Sequence, residues 1–467
     1  MSLSFEIPVE LKQLITSNQA FHHRIVPISN NNGSVVFKTD QENLDKLKKE
    51  LEIILNRSVV LEPESSQDIQ SYLSYNYRKK TTGSNFSSDD SFLQDLLQTA
   101  KDFNSSDIHL EAYEDKWRVR FRLNGKLKEQ YQLSQGDYTL LVNQIKVRAE
   151  LDIAQKRISQ DGRINVKTDT DEFDIRVSTM PTIHQEKVVL RILRKDNEAA
   201  ELSELGFNSK ELQMYLEGVK MPNGIVLISG PTGSGKTTTL YGTLKLLNEE
   251  ETNIITIEDP VEYTLKGINQ MQLHEDIGLD FPKVMRTFLR QDPDIIMVGE
   301  IRDGETASMA VKAALTGHLV LSTIHTNSAW GTISRLIDMG VEPHLLATTI
   351  KLSVAQRLVR QLCSDCKEEM HFSKGDFPSS FKEFSQIKTR FIHKGCDMCH
   401  YTGYQGRKAI YEIIPITSKL ELAIKDNELQ IDNYIKENNL STLKTNAIAL
   451  INSGETSIDE VYSLLAN

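Results

Sequence analysis

Residues 230–237 read Gly230-Pro231-Thr232-Gly233-Ser234-Gly235-Lys236-Thr237, a complete G-x-x-x-x-G-K-[ST] phosphate-binding loop. An apolar run at residues 225–228 precedes the loop, and a stretch that can be helical follows it at residues 238–248. Backbone N–H groups and a helix N-terminus are therefore predicted to surround phosphate oxygens. The alternative is a glycine-rich turn that binds no ligand, but such a turn would have no need of all eight residues of the motif. Lys236 is predicted to reach the β- and γ-phosphates, and Thr237 to bind Mg²⁺. The chain is expected to bind a nucleoside triphosphate through these eight residues and Thr238.

The length and composition of the chain set its broad class. At 467 residues it is too long for a single hydrophobic core, so two to four domains are expected. No apolar stretch is long enough to span a membrane, and the first residues lack a signal-peptide pattern, which predicts a cytosolic location. The net charge of −11, from 54 basic and 65 acidic residues, argues against a surface that coats nucleic acid, so no nucleic-acid partner is expected.

Hydrophobic periodicity divides the amino-terminal part of the chain. Residues 1–80 are predicted to form a small α/β module, and the polar residues 81–90 a linker. Within residues 91–195, apolar and polar residues alternate in several short segments, as they do in half-buried strands. This pattern predicts an α+β domain with a mostly antiparallel sheet. A second linker is predicted at residues 196–203.

The remaining residues, 204–467, have a different pattern. Apolar runs alternate with helical segments, which predicts a parallel sheet covered by helices on both faces. A cysteine-bearing insert is placed at residues 360–405, and a helical tail at residues 418–467. The predicted fold class is therefore α/β.

Acidic residues follow two of the predicted strands. One strand ends in Glu258 and Asp259, with Glu262 close behind, and another is followed by Glu300. Because the carboxyl ends of parallel strands face the nucleotide crevice, we expect these carboxylates near the triphosphate. Glu300 is predicted to hold the water shell of Mg²⁺, and Glu262 to polarise the attacking water. For each acid taken alone, a solvated loop position is the alternative.

Histidines and arginines give weaker signals. His318 and His325 flank one apolar strand, and His325 is predicted either to sense the γ-phosphate or to contact a neighbouring subunit, with a structural role as the alternative. Phosphoryl transfer often uses an arginine supplied from another part of the assembly. Arg163, Arg176 and Arg191 lie on or beside predicted strands, but the residues alone favour ordinary exposed strand arginines.

The four cysteines form two C-x-x-C pairs, Cys363 with Cys366 and Cys396 with Cys399. Four thiolates at this spacing are typical of a structural zinc site with no open catalytic position. Two disulfides or a redox pair remain the alternatives.

Several motifs in order resemble the motor ATPases of bacterial type II secretion and type IV pilus assembly. The resemblance is strong over residues 90–415 and weak over the first 80. Its motifs are the phosphate loop at residues 230–241, an aspartate box at 255–262, a Walker B segment at 289–303 and a histidine box at 316–327. Residues 106–111 and 176–181 also resemble segments of the family's second domain, and the tetracysteine insert resembles the extension branch.

This resemblance implies a RecA-like ATPase domain joined to a PAS-like domain, assembled as a hexameric ring. It implies Glu300, Glu262 and Lys236 as catalytic residues, and His318 with His325 as the histidine-box pair. The resemblance also implies that Arg176 and Arg191 sense the nucleotide, and it implies the same role less strongly for Arg163. The implied partner is the cytoplasmic domain of an inner-membrane platform protein, contacted by residues 1–80.

The predicted function is thus a cytoplasmic ATPase, associated peripherally with the inner membrane, that uses ATP, Mg²⁺ and Zn²⁺. Hydrolysis would power pilus or pseudopilus assembly and protein secretion across the outer membrane. The alternatives are a DNA-uptake or nucleic-acid-translocating ATPase and a nucleotide-gated scaffold that does not hydrolyse.

Overall fold

The computed structural model describes residues 7–12, 14–31, 34–41, 43–77, 91–168, 171–194, 201–273, 277–399, 402–428 and 430–466. The predicted linker at residues 81–90 and residues 196–200 of the second predicted linker lie outside these ranges. The chain divides into two units. The first comprises Met1–Lys195, Cys363–Glu368 and His393–Gln405, and the second comprises Asp196–Leu362, Glu369–Ile392 and Gly406–Asn467.

The amino-terminal module of the first unit is a three-stranded sheet with helices. Its elements are α1 (Val9–Lys12), α2 (Ser17–His23), β1 (Ile25–Asn31), β2 (Ser34–Thr39), α3 (Leu44–Leu55), β3 (Ser58–Pro63) and α4 (Ser66–Asn76). The central strand β2 pairs antiparallel with β1 and parallel with β3. Alternate residues of β2 are buried, which places Val35 and Phe37 in the core of this module.

The rest of the first unit contains a six-stranded sheet. Its elements are α5 (Ser91–Asp102), β4 (Asp107–Ala112), β5 (Trp117–Leu123), β6 (Lys126–Leu133), α6 (Gln135–Arg148), β7 (Gln160–Thr168), β8 (Asp171–Met180) and β9 (Lys187–Arg194). The strand order is β6-β5-β4-β9-β8-β7, and every neighbouring pair is antiparallel. Asn124 and Gly125, both with positive φ, form the turn between β5 and β6. The predicted α+β arrangement with an antiparallel sheet is confirmed.

The second unit is built on a seven-stranded sheet. Its first elements are α7 (Ser209–Val219), β10 (Gly224–Ser229), α8 (Lys236–Leu247), β11 (Ile254–Glu258), β12 (Asn269–Gln272), α9 (Phe281–Phe288), β13 (Ile295–Val298), α10 (Gly304–Leu315), β14 (Leu319–Ile324), α11 (Gly331–Asp338), α12 (Pro343–Thr349) and β15 (Ile350–Leu362). The short strands β16 (Lys367–Glu369) and β17 (Phe391–His393) pair with each other, and β18 (Tyr404–Pro415) joins the large sheet. Four helices follow: α13 (Ser418–Lys425), α14 (Asp432–Glu437), α15 (Leu443–Asn452) and α16 (Ile458–Ala466).

The order of the large sheet explains where a site can form. It runs β12-β11-β13-β14-β10-β15-β18, and the six strands from β12 to β15 are parallel. Separate hydrophobic clusters cover its two faces, so β10, β11, β13 and β14 are buried along their whole length. Their carboxyl ends meet at one edge, which is where ligands bind in such sheets. The predicted parallel sheet is confirmed.

The helices of the described ranges include none with both the length and the hydropathy required to cross a bilayer.

Candidate active site

The phosphate loop connects β10 to α8 through three glycines with positive φ: 153° at Gly230, 80° at Gly233 and 90° at Gly235. A Cβ on Gly230 would lie 2.5 Å from the carbonyl oxygen of Gln356, so a larger residue does not fit there. Gly235 caps α8 without any side-chain hydrogen bond to the helix. The first N–H groups of α8 therefore remain available to an anion.

Two side chains of the loop suit a phosphate ligand. Lys236 is 9% exposed, and its Nζ donates hydrogen bonds to the carbonyl oxygens of Gly230 (2.8 Å) and Pro231 (3.2 Å). Burial lowers the pKa of Lys236, Glu300 opposes this effect, and the positive charge of Arg357 adds to it. The buried Oγ of Ser234 has no hydrogen-bond partner among the described residues. The Lys236 ammonium has only neutral acceptors, and the Ser234 hydroxyl has no acceptor among the described residues. Both can donate to an anionic oxygen, so the loop fits a phosphate group.

Glu300 lies beside His325 at the carboxyl edge of the sheet. Its Oε2 is 3.1 Å from Nε2 of His325, and its Oε1 contacts the guanidinium of Arg302. Arg302 also bridges to Asp259, with 3.2 Å between Nη2 and Oδ2. The structure thus brings together Glu300, His325 and Asp259, which follow three different strands. Their roles toward a nucleotide stay predictions.

Backbone hydrogen bonds fix the position of Glu300. The N–H of Gly299 donates to Ile257 (2.8 Å) on β11, and the N–H of Ile301 donates to Thr323 (2.9 Å) on β14. Oγ1 of Thr323 donates back to the carbonyl oxygen of Gly299 at 2.8 Å. Because the residues on both sides of Glu300 are held by neighbouring strands, its carboxylate is supported by the sheet rather than by a free loop.

Glu258 is occupied by protein partners. It is 3% exposed, and its carboxylate accepts hydrogen bonds from Oγ1 of Thr256 (2.6 Å), from Nε2 of Gln270 (3.1 Å) and from the hydroxyl of Tyr241. The Tyr241 hydroxyl in turn accepts a hydrogen bond from the N–H of Glu262 at 3.3 Å. These contacts support a positioning role in which Glu258 holds α8 and the Glu262 segment together. Direct contact between Glu258 and nucleotide remains an untested prediction.

Tyr241→Phe is expected to lower the free energy of unfolding by about 2 kcal/mol, because Glu258 loses a charge-assisted hydrogen bond inside the core. Chemical denaturation of the full chain measures the change. Tyr263→Phe is the matched control, since Tyr263 packs on the Tyr241 ring and its hydroxyl has no hydrogen bond to a described residue. Equal stability of the two variants would contradict the proposed role of Glu258.

The structure separates the two histidines of the predicted pair. Nδ1 of His318 lies 2.8 Å from the carbonyl oxygen of Ala313 and 3.1 Å from Oγ1 of Thr316, at the amino end of β14. His325 follows the carboxyl end of the same strand. A six-residue strand spans roughly 20 Å, so the two side chains do not meet in one site. The two histidines therefore flank β14, with His318 in contact with the end of α10. Their roles as a histidine-box pair stay predictions.

The three candidate arginines form one row in the antiparallel sheet of the first unit. Arg163 is paired with Arg176 across β7 and β8, and Arg176 with Arg191 across β8 and β9. Asp107 on β4 continues the row, and its Oδ1 accepts a hydrogen bond from Nε of Arg191 at 3.0 Å. Directly opposed like charges are unfavourable, and the carboxylate of Asp107 offsets part of this repulsion at Arg191. The roles of the three arginines toward a nucleotide stay predictions.

The four cysteines meet in a single cluster whose sulfur atoms lie within 4.8 Å of one another. The separations are 3.7 Å between Cys363 and Cys396, and 3.8 Å both between Cys366 and Cys399 and between Cys396 and Cys399. Four sulfurs bound to one zinc ion at about 2.3 Å would be about 3.8 Å apart. The N–H groups of Cys396 and Gly403 also donate hydrogen bonds to Sγ of Cys399, both at 3.3 Å, which fixes the position of this sulfur atom. The cluster can therefore hold a metal ion, and this geometry favours metal over the disulfide alternatives.

Sequence reasoning missed Arg302 and the pair Gln356–Arg357. Arg302 follows Glu300 by two residues, and the alternation of charge in residues 300–303 was a usable signal. No signal in the sequence points to Gln356 and Arg357, because they reach the phosphate loop only through the position of β15 beside β10.

The family model described as "Type II/IV secretion system protein" matches residues 85–463 of the chain. The chain belongs to this family. It is 45% identical over 370 residues to the putative type II secretion system protein E of Escherichia coli (strain K12), covering 78% of the chain and 74% of that protein. It is also 45% identical over 376 residues to the type IV pilus assembly ATPase PilB of Myxococcus xanthus, covering 78% of the chain and 66% of that protein.

Solved structures of a pilus motor and of an ATPase share the fold. The pilus retraction motor PilT, crystallised with bound ADP, aligns with a TM-score of 0.55 and 26% identity over 79% of the chain and 95% of PilT. The Legionella pneumophila ATPase DotB aligns with a TM-score of 0.61 and 21% identity over 83% of the chain and 97% of DotB, which supports the fold alone. As a member of the type II/IV secretion system protein family with an intact phosphate loop, the chain is an ATP hydrolase.

Proposed function

We propose that the chain is a motor ATPase that powers assembly of a pilus or pseudopilus, and with it protein secretion across the outer membrane. The observation that carries this proposal is the cluster of Glu300 and His325 at the sheet edge that also bears the phosphate loop. Relatives named for type II secretion and for type IV pilus assembly, each 45% identical, support the client class. They give no support to the nucleic-acid alternative.

The loop residues from Gly230 to Thr238 would bind the phosphates of ATP through backbone N–H groups and through Nζ of Lys236. Mg²⁺, held by the Thr237 hydroxyl and by water on Glu300, would supply charge neutralisation between the phosphates. Glu262 would orient and polarise the attacking water, and His325, hydrogen-bonded to Glu300, would respond to the γ-phosphate. Asp259 would act indirectly by holding Arg302 beside Glu300.

The arginine row would provide the coupling to motion. Arg176 and Arg191, with Arg163 beside them, would contact the triphosphate in one arrangement of the two units and not in another. A nucleotide that contacts the two arrangements differently shifts the balance between them, and its hydrolysis then produces displacement. We propose a homohexamer as the assembly in which this occurs.

Residues 1–80 and the cysteine cluster would have roles outside the nucleotide site. Residues 1–80 would bind the cytoplasmic domain of an inner-membrane platform protein, and the chain would then lie at the cytoplasmic face of that membrane. The cysteine cluster would hold Zn²⁺ as a structural ion, because all four ligand positions are filled by sulfur.

Lys236→Ala tests the nucleotide site. We expect its ATP turnover, measured as phosphate release by the full chain, to fall by about a hundredfold, because one charge-assisted contact to the developing charge is lost. Lys245→Ala is the control: Lys245 lies on the same helix, is paired with Glu201 at 2.8 Å and is 41% exposed. Turnover by the Lys236 variant within a few-fold of that by the Lys245 variant would disprove the site.

A further inference from the structure

The strand β15 brings two side chains against the phosphate loop from the side opposite to β14. In the parallel pairing of β10 with β15, Ser229 lies opposite Ala355, so the next residues of both strands, Gly230 and Gln356, continue side by side. A Cβ on Gly230 would lie 3.1 Å from Nη1 of Arg357. The guanidinium of Arg357 is therefore packed against the first residue of the loop.

Gln356 fastens this strand to the helix that follows the loop. Its Oε1 accepts a hydrogen bond from Oγ1 of Thr239 at 3.0 Å, and its Nε2 lies 2.8 Å from where a Cβ on Gly235 would be. Gln356 is 2% exposed. Because the neighbouring side chain is bonded in this way, the backbone that carries Arg357 is held beside the loop.

Arg357 lacks an ionic partner. Nη1 donates to the carbonyl oxygen of Gln356 at 2.9 Å, and Nη2 donates to that of Asn327 at 2.8 Å, in the segment after β14 that begins with His325. Over the part of the chain that the structure describes, no carboxylate forms a salt bridge with this guanidinium. A guanidinium carries five N–H donors, and carbonyl oxygens satisfy hydrogen-bonding capacity without neutralising the charge.

Two cations thus lie close together beside the loop. Burial lowers the pKa of Arg357, and the charge of Glu412 opposes the effect without forming a salt bridge. Burial also lowers the pKa of Lys236, and the charge of Arg357 lowers it further. Partly buried cations that repel each other are stabilised by an anion placed between them.

We propose that Arg357 is a second phosphate-binding cation, which contacts the polyphosphate of the nucleotide held by Lys236 of the same subunit. Through its hydrogen bond to Asn327, it also positions the segment that carries His325. This proposal rests on nucleotide binding at the loop, as proposed above, but not on the arginine row or on any assembly.

The test uses the full chain and titration with fluorescent ADP, with competition by unlabelled ADP and AMP. Arg357→Gln is expected to weaken ADP binding by about tenfold to a hundredfold, the effect of one hydrogen bond to a charged group, and to weaken AMP binding much less. Arg357→Lys keeps the charge but not the fork of donors, so an intermediate loss is expected. Arg360→Gln is the matched control, because Arg360 lies three residues along the same strand and is paired with Glu460 at 2.8 Å. Its ADP affinity should stay within twofold of the wild type.

The outcomes separate the two proposals. Unchanged ADP affinity in Arg357→Gln, with strong loss in Lys236→Ala, overturns the role of Arg357 and leaves the loop as the nucleotide site. Equal weakening of ADP and AMP by Arg357→Gln and Arg357→Lys also overturns it, since that indicates distortion of the loop. If Arg357→Gln does not fold, Arg357→Lys decides alone, and wild-type ADP affinity in that variant counts against the proposal. Unchanged affinity in both the Arg357 and Lys236 variants contradicts the nucleotide site itself.

Discussion

Glu300→Gln is expected to reduce ATP turnover by about a thousandfold while leaving ADP affinity within a few-fold of the wild type. The substitution preserves the size of the side chain but removes the negative charge that lies 3.1 Å from His325 and contacts Arg302. In the proposed role of Glu300, the water shell of Mg²⁺ would then lose the carboxylate that holds it. Phosphate release at saturating ATP and a fluorescent-ADP titration measure the two quantities.

Glu305→Gln is the control for this experiment. Glu305 is an exposed acid on α10 whose carboxylate pairs with Arg286 at 2.7 Å, so its loss changes the net charge equally without touching the cluster around Glu300. Its turnover should match that of the wild type. Similar turnover for Glu300→Gln and Glu305→Gln would show that Glu300 is not catalytic.

The second large effect is expected at the cysteine cluster. Cys366→Ser should reduce bound zinc from about one ion per chain to near zero and should lower the melting temperature, because a structural zinc site contributes roughly 10 kcal/mol or more of binding free energy. Treatment of the wild type with a strong chelator should produce the same destabilisation, whereas a reducing agent should not. Zinc content is measured by atomic emission, and unfolding by calorimetry.

Ser364→Ala is the appropriate control, since Ser364 is exposed and lies between the two cysteines of the first pair. It should retain the metal and the melting temperature of the wild type. Wild-type chain that contains no metal when purified without chelators, or that is destabilised by reductant instead, would favour the disulfide or redox alternative.

The buried strands of the large sheet and the phosphate loop could be predicted from short stretches of sequence. The apolar runs of β10, β11, β13 and β14 are continuous because these strands are buried on both faces, and their positions could be predicted from hydrophobicity alone. The phosphate loop could be predicted because its glycines are required by positive φ and by close packing.

Contacts that depend on strand order could not be predicted in this way. Arg357 reaches the loop because β15 inserts next to β10, an arrangement that no spacing in the sequence encodes. The alignment of Arg163, Arg176 and Arg191 arises from the register of β7, β8 and β9.

The helix that carries Lys236 is immobilised by its own domain. Tyr241 ties it to Glu258 on β11, and Thr239 ties it to Gln356 on β15, so neighbours on both sides of the phosphate loop resist any tilt of α8. A conformational change that bent this helix would have to break the Tyr241–Glu258 and Thr239–Gln356 hydrogen bonds in every catalytic cycle. If the chain acts as the proposed motor, α8 and the phosphate loop would therefore stay in place during the cycle, and displacement would arise elsewhere in the chain.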